Sequence, residues 1–285
     1  MNAIVLAAKQ ANDFYLLVGP PGTGKTNVAL RSMVQEFLLE YPHTQEKKAL
    51  MLTAYTHRAV DEICGMLENL SEETTFSYIR IGNEQTCSAK FRHRLLENAA
   101  SSMTNRNEMA TLIASTPIIV GSLLTLSAHT EIFRLRSFRA AIIDEASQVL
   151  EPQMLPLFCA TLPQHPQTPA IEKFILIGDI KQLPAVVQQS ATDSAVSEPR
   201  LIEIGLTDCR NSLFERMIRH TAKHHSATSA QPLIATLRRQ GRMHPDIAAW
   251  PNSMFYRDEK MMPVPLPHQQ EQSMAYNALP ADRLD

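Results

Sequence analysis

Short apolar runs alternate with longer amphipathic segments along most of the chain, and this pattern predicts the fold class. The longer segments repeat apolar residues at helical spacing, as at 28–38, 59–70 and 206–218. Strands that alternate with helices predict an α/β fold with a parallel sheet covered by helices on both faces. Ligands of such sheets bind beyond the carboxyl ends of the strands, so polar motifs that follow a strand are the functional candidates. The predicted strands cover residues 14–18, 49–53, 78–81, 117–120, 141–143 and 174–177.

The composition narrows the class of protein without identifying a partner. The 285 residues are 44% apolar, which suffices for a sizeable core, and the net charge is −2. That charge does not exclude nucleic acid, because a local basic stripe is enough to bind it. The 4 cysteines lie far apart without a CxxC pair, so neither a zinc site nor a disulfide framework is predicted. No signal peptide is evident, and no apolar run approaches the ~18 residues that span a bilayer, so we expect a cytoplasmic protein without a membrane partner.

Residues 19–26 have the sequence GPPGTGKT, a complete Walker A loop between a predicted strand and a predicted helix. Glycines let consecutive backbone N–H groups turn inward around a phosphate, and the following helix N-terminus favours anions. The lysine would reach the β- and γ-phosphates, and the threonine hydroxyl would bind Mg²⁺. The alternative is a glycine-rich turn without a ligand, which the strand–loop–helix context disfavours. We therefore predict a nucleoside triphosphate site formed by Gly22, Thr23, Gly24, Lys25 and Thr26.

Two carboxylates, Asp144 and Glu145, follow the predicted strand at 141–143. In this position Asp144 would hold the Mg²⁺ shell, as a Walker B aspartate does. Glu145 would orient and deprotonate the attacking water. An isolated acidic pair is equally well explained as a solvated strand end. The Walker A loop upstream in the same α/β domain favours the catalytic interpretation.

Two further segments offer candidate groups for the γ-phosphate. Gln182 lies in the segment GDIKQLP after the next predicted strand, where its amide would hydrogen-bond the γ-phosphate and the water and so sense hydrolysis. We assign Asp179 of the same segment to the nucleotide-binding residues. Arg242 of the segment QGRMHP would reach across the cleft as an arginine finger. The alternatives are a polar loop closed by proline and a surface arginine.

Five motifs stand in the order found in superfamily 1 helicases: GPPGTGKT, AYTHRAVDEI, DEASQ, GDIKQLP and QGRMHP. The chain resembles the 5′-to-3′ branch, which includes the RNA-decay helicase and the replication helicase–nuclease, and the Tyr-Thr-His at 55–57 is more similar to the latter. The resemblance implies a RecA-like motor that uses ATP and Mg²⁺ to move on single-stranded DNA or RNA and to separate strands. It also implies a possible partner in a nuclease or other domain outside this chain. The nucleic-acid contacts that it implies are Thr56, His57, Arg58 and Ser122.

The chain departs from the family pattern in three respects. The family expects a glutamine motif that reads adenine well upstream of the Walker A loop, but only 18 residues precede Gly19. Gly241 stands where the family usually has a tyrosine that stacks on the base, and the last two helicase motifs are not found in 251–285. We therefore expect a truncated chain, with a first RecA-like motor domain at 1–236 and the incomplete start of a second at 237–285.

Three hypotheses for the function follow. The leading one is an ATP-dependent helicase or translocase motor. The second is a catalytically incomplete fragment that binds ATP and nucleic acid without turnover, because the adenine motif and a second arginine finger are not found. The third and weakest is a small-molecule kinase, since such kinases usually have a substrate lid and lack DEASQ and GDIKQLP. A comparison of ATP hydrolysis by the wild type and Glu145→Gln separates the first two.

Overall fold

A seven-stranded parallel sheet forms the centre of the computed structural model, which describes residues 1–101, 103, 105–224 and 233–270. All the strands predicted from the sequence are present in this sheet. Its order is β3-β4-β2-β5-β8-β1-β9, and β6 and β7 form a separate antiparallel pair. The strands are β1 Phe14–Val18, β2 Ala49–Ala54, β3 Tyr78–Ile81, β4 Ile118–Ser122, β5 Phe138–Asp144, β6 Thr161–Leu162, β7 His165–Pro169, β8 Phe174–Gly178, β9 Ile234–Thr236, β10 Arg239–Gln240 and β11 Met262–Pro263.

Helices cover both faces of the sheet, as the alternation of strands and helices predicts. The first three helices pack on one face, and α5, α6, α7 and α10 supply buried residues to the other. The predicted α/β class is therefore confirmed. The helices are α1 Asn2–Gln10, α2 Arg31–Glu40, α3 His57–Ser71, α4 Leu96–Ala99, α5 Arg106–Ser115, α6 Leu123–Ala128, α7 Glu151–Phe158, α8 Ala191–Ser194, α9 Pro199–Glu203, α10 Leu213–His224, α11 Pro245–Met254 and α12 Pro267–Gln270.

Successive residues of each central strand enter different layers of the core. In β2, Leu50 and Leu52 pack in the layer with α2 and α3, whereas Met51 packs in the layer with α6 and α7. Every residue of β2 is buried, which explains why this strand reads as one continuous apolar run. Each such side chain contributes about 1.5–3 kcal/mol by leaving water. The sheet is therefore a well-packed platform for the loops at its carboxyl edge.

The structure differs from the sequence-based expectations at two elements. The strand β9 was not predicted, and it pairs with β1, with Ile234 opposite Leu16. The helix predicted at 206–218 begins only at Leu213, the first residue of α10. The hydroxyl of Ser212 accepts a hydrogen bond from the backbone N–H of Glu215 at 3.2 Å, and such a cap starts a helix at the next residue.

Charged groups fasten the edge strand β3 to α3. Arg80 on β3 is buried and forms an ion pair with Asp61 on α3. Glu68 accepts hydrogen bonds from Nε and Nη2 of Arg94 at 2.9 and 3.1 Å, and from the Tyr78 hydroxyl at 2.7 Å. The Arg94 hydrogen bonds hold the pKa of Glu68 below its ordinary value. None of the side chains in these contacts lines the cleft described below, so we interpret them as structural.

The residues after β9 pass directly over the Walker A loop. The Leu237 N–H donates to the Val18 carbonyl at 2.8 Å, and the Gly241 N–H donates to the Gly22 carbonyl at 2.9 Å. The short strands β10 and β11 then pair with each other, and α11 lies between them in the chain. The boundary at residue 236 remains a prediction, and residues 271–285 of the predicted second domain lie outside the described residues.

Within the described part of the chain, no helix is long and apolar enough to cross a membrane. The same residues contain no cluster of three His, Cys, Asp or Glu side chains arranged to hold a metal ion. All 4 cysteines are free thiols, two of them buried.

Candidate active site

The Walker A loop runs from the end of β1 to a π-helical turn, Lys25–Leu30, which leads into α2. Gly22 and Gly24 have φ angles of 74° and 79°, in the left-handed region that favours glycine. A Cβ atom at Gly24 would lie 2.6 Å from Cγ2 of Val28, so space excludes a side chain there as well. The loop can therefore close over the start of a helical segment, where backbone N–H groups favour a phosphate.

Two side-chain contacts join the Walker A loop to the end of β5. Nζ of Lys25 lies 3.1 Å from Oε1 of Glu145, and the Thr26 hydroxyl donates a 2.6 Å hydrogen bond to Oδ2 of Asp144. Asp144 is buried, and burial raises the pKa of its carboxyl to about 6, although the Thr26 hydrogen bond acts in the opposite direction. Burial disfavours the charged form of an acid, and a nearby cation favours it. A bound cation would therefore offset the cost of keeping the buried Asp144 carboxylate charged.

Glu145 has a backbone conformation that is uncommon for a residue with a side chain. Its φ and ψ are 53° and 38°, a left-handed conformation that costs about 1–2 kcal/mol relative to the right-handed one. The Glu145 N–H donates to Oδ1 of Asp144 at 3.0 Å, which supports this turn. Strained residues of this kind cluster at active sites. Here the turn gives two consecutive carboxylates different partners, Thr26 for Asp144 and Lys25 for Glu145.

Gln182 and Asp179, in the loop after β8, lie in different surroundings. Gln182 lines the cleft beside the Walker A loop. Asp179 is only 1% exposed, and its Oδ2 accepts hydrogen bonds from Nε2 of Gln182 and from the Tyr256 hydroxyl, both at 2.7 Å. The structure thus places Asp179 behind Gln182 and outside the lining of the cleft. Its predicted contact with the nucleotide would be indirect.

Arg242 enters the cleft from the turn that follows β10. The buried side chain of Gln240 accepts hydrogen bonds from the backbone N–H groups of Arg242 and Met243, at 2.5 and 2.6 Å, and so fixes this turn. The Gly241 N–H donates to the Gly22 carbonyl, which brings the turn onto the Walker A loop. Arg242 is exposed, and its guanidinium has no ion-pair partner among the described residues. It is therefore available to an anionic ligand.

These groups surround a cleft of about 470 Å³. Glu145, Gln182 and Arg242 line it together with the Walker A loop. Helix α3 also lines the cleft, through Glu62 and Asn69 among others, and sequence reasoning did not single out either residue. They are seven residues apart, two turns of a helix, and so share one face. This face of α3, which Gly65 and Met66 also form, was the available signal.

The four residues predicted to contact nucleic acid lie at or just after the carboxyl ends of the adjacent strands β2 and β4. The hydroxyls of Thr56 and Ser122 each accept a backbone N–H and cap α3 and α6. Ser122 is buried, whereas Thr56, His57 and Arg58 are exposed. The Arg58 side chain is 92% exposed, and its ion pair among the described residues is a long one, 3.8 Å, to Glu62. Of the four side chains, those of His57 and Arg58 are therefore the ones free to meet an external strand.

The first strand of the parallel sheet leads into a glycine loop, and the loop's lysine and threonine contact two carboxylates at the end of another strand. This arrangement defines a P-loop nucleotide-binding domain. The chain belongs to the AAA domain family, whose model matches residues 2–188. The matched segment begins at the first helix and contains the Walker A loop, Asp144, Glu145 and Gln182.

Similar proteins include replication helicase–nucleases. The chain is 28% identical over 249 residues to the DNA replication ATP-dependent helicase/nuclease DNA2 of Xenopus laevis, a match that covers 86% of this chain and 19% of that protein. It is 31% identical over 249 residues to the DNA replication ATP-dependent helicase/nuclease dna2 of Schizosaccharomyces pombe, covering 86% and 14%. The chain thus spans less than a fifth of the length of these two relatives. The matches confirm the family resemblance predicted from the motifs.

Among solved structures, the arterivirus nonstructural protein 10 helicase in complex with DNA is 14% identical, with a TM-score of 0.45 over 93% of this chain and 43% of that chain. The Pif1 helicase of Bacteroides bound to single-stranded DNA is 17% identical, with a TM-score of 0.40 over 92% of this chain and 46% of that chain.

Proposed function

We propose that this chain is part of an ATP-dependent helicase or translocase motor, which hydrolyses ATP to move on single-stranded DNA or RNA and to separate strands. One observation carries the proposal: a base, an amide and an arginine converge on the cleft that the Walker A loop forms. Binding a phosphate requires the loop alone. Glu145, Gln182 and Arg242 add the groups that an attack on the γ-phosphate needs.

The residues present fit a nucleoside triphosphate with Mg²⁺. The left-handed glycines leave room for phosphate oxygens, and Lys25 supplies a cation beside them. The Thr26 hydroxyl and the Asp144 carboxylate are oxygen ligands of the type that Mg²⁺ prefers, and the burial of Asp144 favours a neighbouring cation. When bound, Mg²⁺ would neutralise charge that develops on the phosphates.

The chemistry of the remaining groups follows from their positions. Glu145 would accept a proton from the attacking water, and Gln182 would hold that water against the γ-phosphate. The Arg242 guanidinium would stabilise negative charge in the transition state. Because these three groups act on the transition state more than on the bound substrate, removing any of them should lower kcat more than it raises KM.

The loops after β2 and β4 are the proposed contacts with the nucleic acid. His57 and Arg58 would bind strand phosphates, which position a strand without reading its sequence. Thr56 and Ser122 shape the two loops through their helix caps. The names of the relatives combine a helicase with a nuclease and refer to DNA replication. We therefore expect DNA rather than RNA as the track, and a nuclease or other domain outside this chain as a partner.

Measuring ATP hydrolysis with and without single-stranded DNA and RNA tests the proposal. The wild type should release phosphate faster when a single strand is present. Lys25→Ala should abolish nucleotide binding and hydrolysis and leave the circular dichroism spectrum unchanged. Lys48→Ala is the matched control, because Lys48 forms its ion pairs with Glu46 and Glu172, away from the cleft.

Two results would change the conclusion. Hydrolysis that no DNA or RNA accelerates contradicts a nucleic-acid motor. ATP binding together with equal hydrolysis rates for the wild type and Glu145→Gln supports the alternative, a module that binds ATP and nucleic acid without turnover.

A further inference from the structure

A buried tyrosine from the segment after α11 shares a carboxylate oxygen with Gln182. Tyr256 is 5% exposed, and its hydroxyl donates to Oδ2 of Asp179, the same oxygen that accepts Nε2 of Gln182. Burial and the Asp179 hydrogen bond both raise the pKa of Tyr256, so its hydroxyl keeps its proton and remains a donor. A single carboxylate thus connects Tyr256 with the amide that lines the cleft.

The Asp179 carboxylate is held from several directions. Oδ1 of Asp179 accepts a hydrogen bond from the Lys181 N–H at 3.0 Å. The backbone N–H of Asp179 donates to Oγ of Ser147 at 3.2 Å. The amide of Gln182 is planar, so fixing Nε2 on Asp179 also fixes the direction of its carbonyl oxygen. The orientation of Gln182 therefore depends on the orientation of Asp179, which the Tyr256 hydroxyl fixes at Oδ2 and the Lys181 N–H fixes at Oδ1.

A second set of contacts docks the same loop on the same segment. Nζ of Lys181 donates to the Phe255 carbonyl at 2.7 Å, forms an ion pair with Glu259 at 2.5 Å and lies 5.5 Å from the centre of the Tyr256 ring. Contacts therefore hold the loop to the 255–259 segment at Asp179 and again at Lys181. That segment follows Arg242 in the chain, so it belongs to the part of the protein that brings the arginine to the cleft.

We propose that Tyr256 is a positioning residue for ATP hydrolysis: through Asp179, it holds the Gln182 amide in the orientation that meets the attacking water and the γ-phosphate. The inference rests on the proposed function of Gln182. It makes Tyr256 the link between the segment that carries Arg242 and the loop that carries Gln182. Displacement of that segment would then disturb both groups together.

A double-mutant cycle between Tyr256→Phe and Gln182→Ala tests this proposal. Tyr256→Phe removes only the hydroxyl, and a hydrogen bond to a charged group is worth enough to lower kcat about tenfold. The KM for ATP should stay within about twofold, because Gln182 acts on the transition state. In the Gln182→Ala background the same change should have no further effect on kcat, since the two residues act as one unit. Asp179→Asn alters the shared acceptor and should show the same dependence on Gln182, which keeps the proposal testable should Tyr256→Phe fail to fold.

Tyr78→Phe is the matched control. Tyr78 is also buried and donates to a carboxylate, Glu68, at 2.7 Å, but it lies on the edge strand β3. The Tyr78→Phe variant should lower the melting temperature about as much as Tyr256→Phe does, and it should leave kcat unchanged. An unchanged kcat in Tyr256→Phe overturns the inference, and so does an equal loss with and without Gln182. A wild type that hydrolyses no ATP overturns the proposed function itself, and the inference with it.

Discussion

Replacing Glu145 by glutamine should slow ATP hydrolysis and at the same time tighten ATP binding. The substitution keeps the size of the side chain and removes a negative charge that lies 3.1 Å from Nζ of Lys25. The two side chains are only 11% and 27% exposed, so water screens the pair weakly. A phosphate that recruits Lys25 must first break this pair, and ATP binding by the wild type carries that cost.

The ion pair between Lys25 and Glu145 sets the size of the effect on ATP binding, and the loss of the general base sets the effect on kcat. Glutamine can still accept a hydrogen bond from the Lys25 ammonium, but it removes the attraction between opposite charges, which contributes up to about 1 kcal/mol even in an exposed pair. An amide in place of the Glu145 carboxylate should therefore lower the cost of freeing Lys25 by about 1 kcal/mol, which corresponds to roughly fivefold tighter ATP binding. Loss of the general base should reduce kcat by about 10²-fold or more.

Titration calorimetry with ATP and phosphate release at saturating ATP measure the two effects separately. Glu62→Gln is the control, because Glu62 also lines the cleft but its side chain is 63% exposed and pairs with Arg58 rather than Lys25. It should change either quantity by less than about twofold. Equal or weaker ATP binding by Glu145→Gln would refute the competition for Lys25. If Glu62→Gln tightens ATP binding equally, the effect arises from the net charge of the cleft and not from the ion pair with Lys25. Unchanged ATP hydrolysis by Glu145→Gln would show that Glu145 is not the general base.

Three further substitutions test the loop and the edge of the sheet. Gly24→Ala should abolish nucleotide binding and lower the melting temperature, because its Cβ would lie 2.6 Å from Cγ2 of Val28 and the left-handed conformation alone costs about 1–2 kcal/mol. Asp61→Asn should lower the free energy of unfolding in urea by about 3 kcal/mol, since it leaves the Arg80 guanidinium buried without its carboxylate, and a loss below about 1 kcal/mol would contradict this. Because folding lowers the pKa of Glu68, the ionised carboxylate stabilises the fold. The stabilisation is complete above pH 4.5, the ordinary pKa of the group, and it is lost as the pH falls through the lowered pKa. Glu68→Gln should therefore flatten this part of a curve of the free energy of unfolding against pH.

The central strands could be predicted because each one is an apolar run with polar loops on both sides. The strand β9 could not, since it has only three partly buried residues and pairs with β1 from more than two hundred residues away. The start of α10 depends on the Ser212 cap, a local signal that the apolar periodicity of 206–218 obscured. Periodicity thus identifies helices and strands whose own apolar residues enter the core. It misses a strand that depends on a distant pairing partner and a helix start that depends on one capping hydroxyl.

The candidate site divides in a similar way. The roles of residues within one motif, such as Lys25 and Thr26, could be predicted from their spacing in the sequence. Asp179 was assigned to the nucleotide, but its surroundings include Tyr256, which is 77 residues away in the chain. The cleft-facing Glu62 of α3 was visible only as one polar position on a helix. Spacing shows which residues share a face, and only the packing shows what that face meets.

The proposed motor needs a part that moves, and the packing of the sheet argues that it is not the strands. The strand β2 is buried on both faces, and Ala54 at its end pairs with Ser122 on one side and Asp144 on the other. The ends of these strands are therefore held at the fixed spacing of about 4.8 Å between neighbours in a sheet. Among the described residues, 237–270 add no strand to the seven-stranded sheet, and their contacts with the site include the hydrogen bond from the Gly241 N–H and that from the Tyr256 hydroxyl. In the proposed cycle, hydrolysis would act on these weaker contacts and move this segment, while the ends of β2, β4 and β5 keep the catalytic and nucleic-acid loops in register.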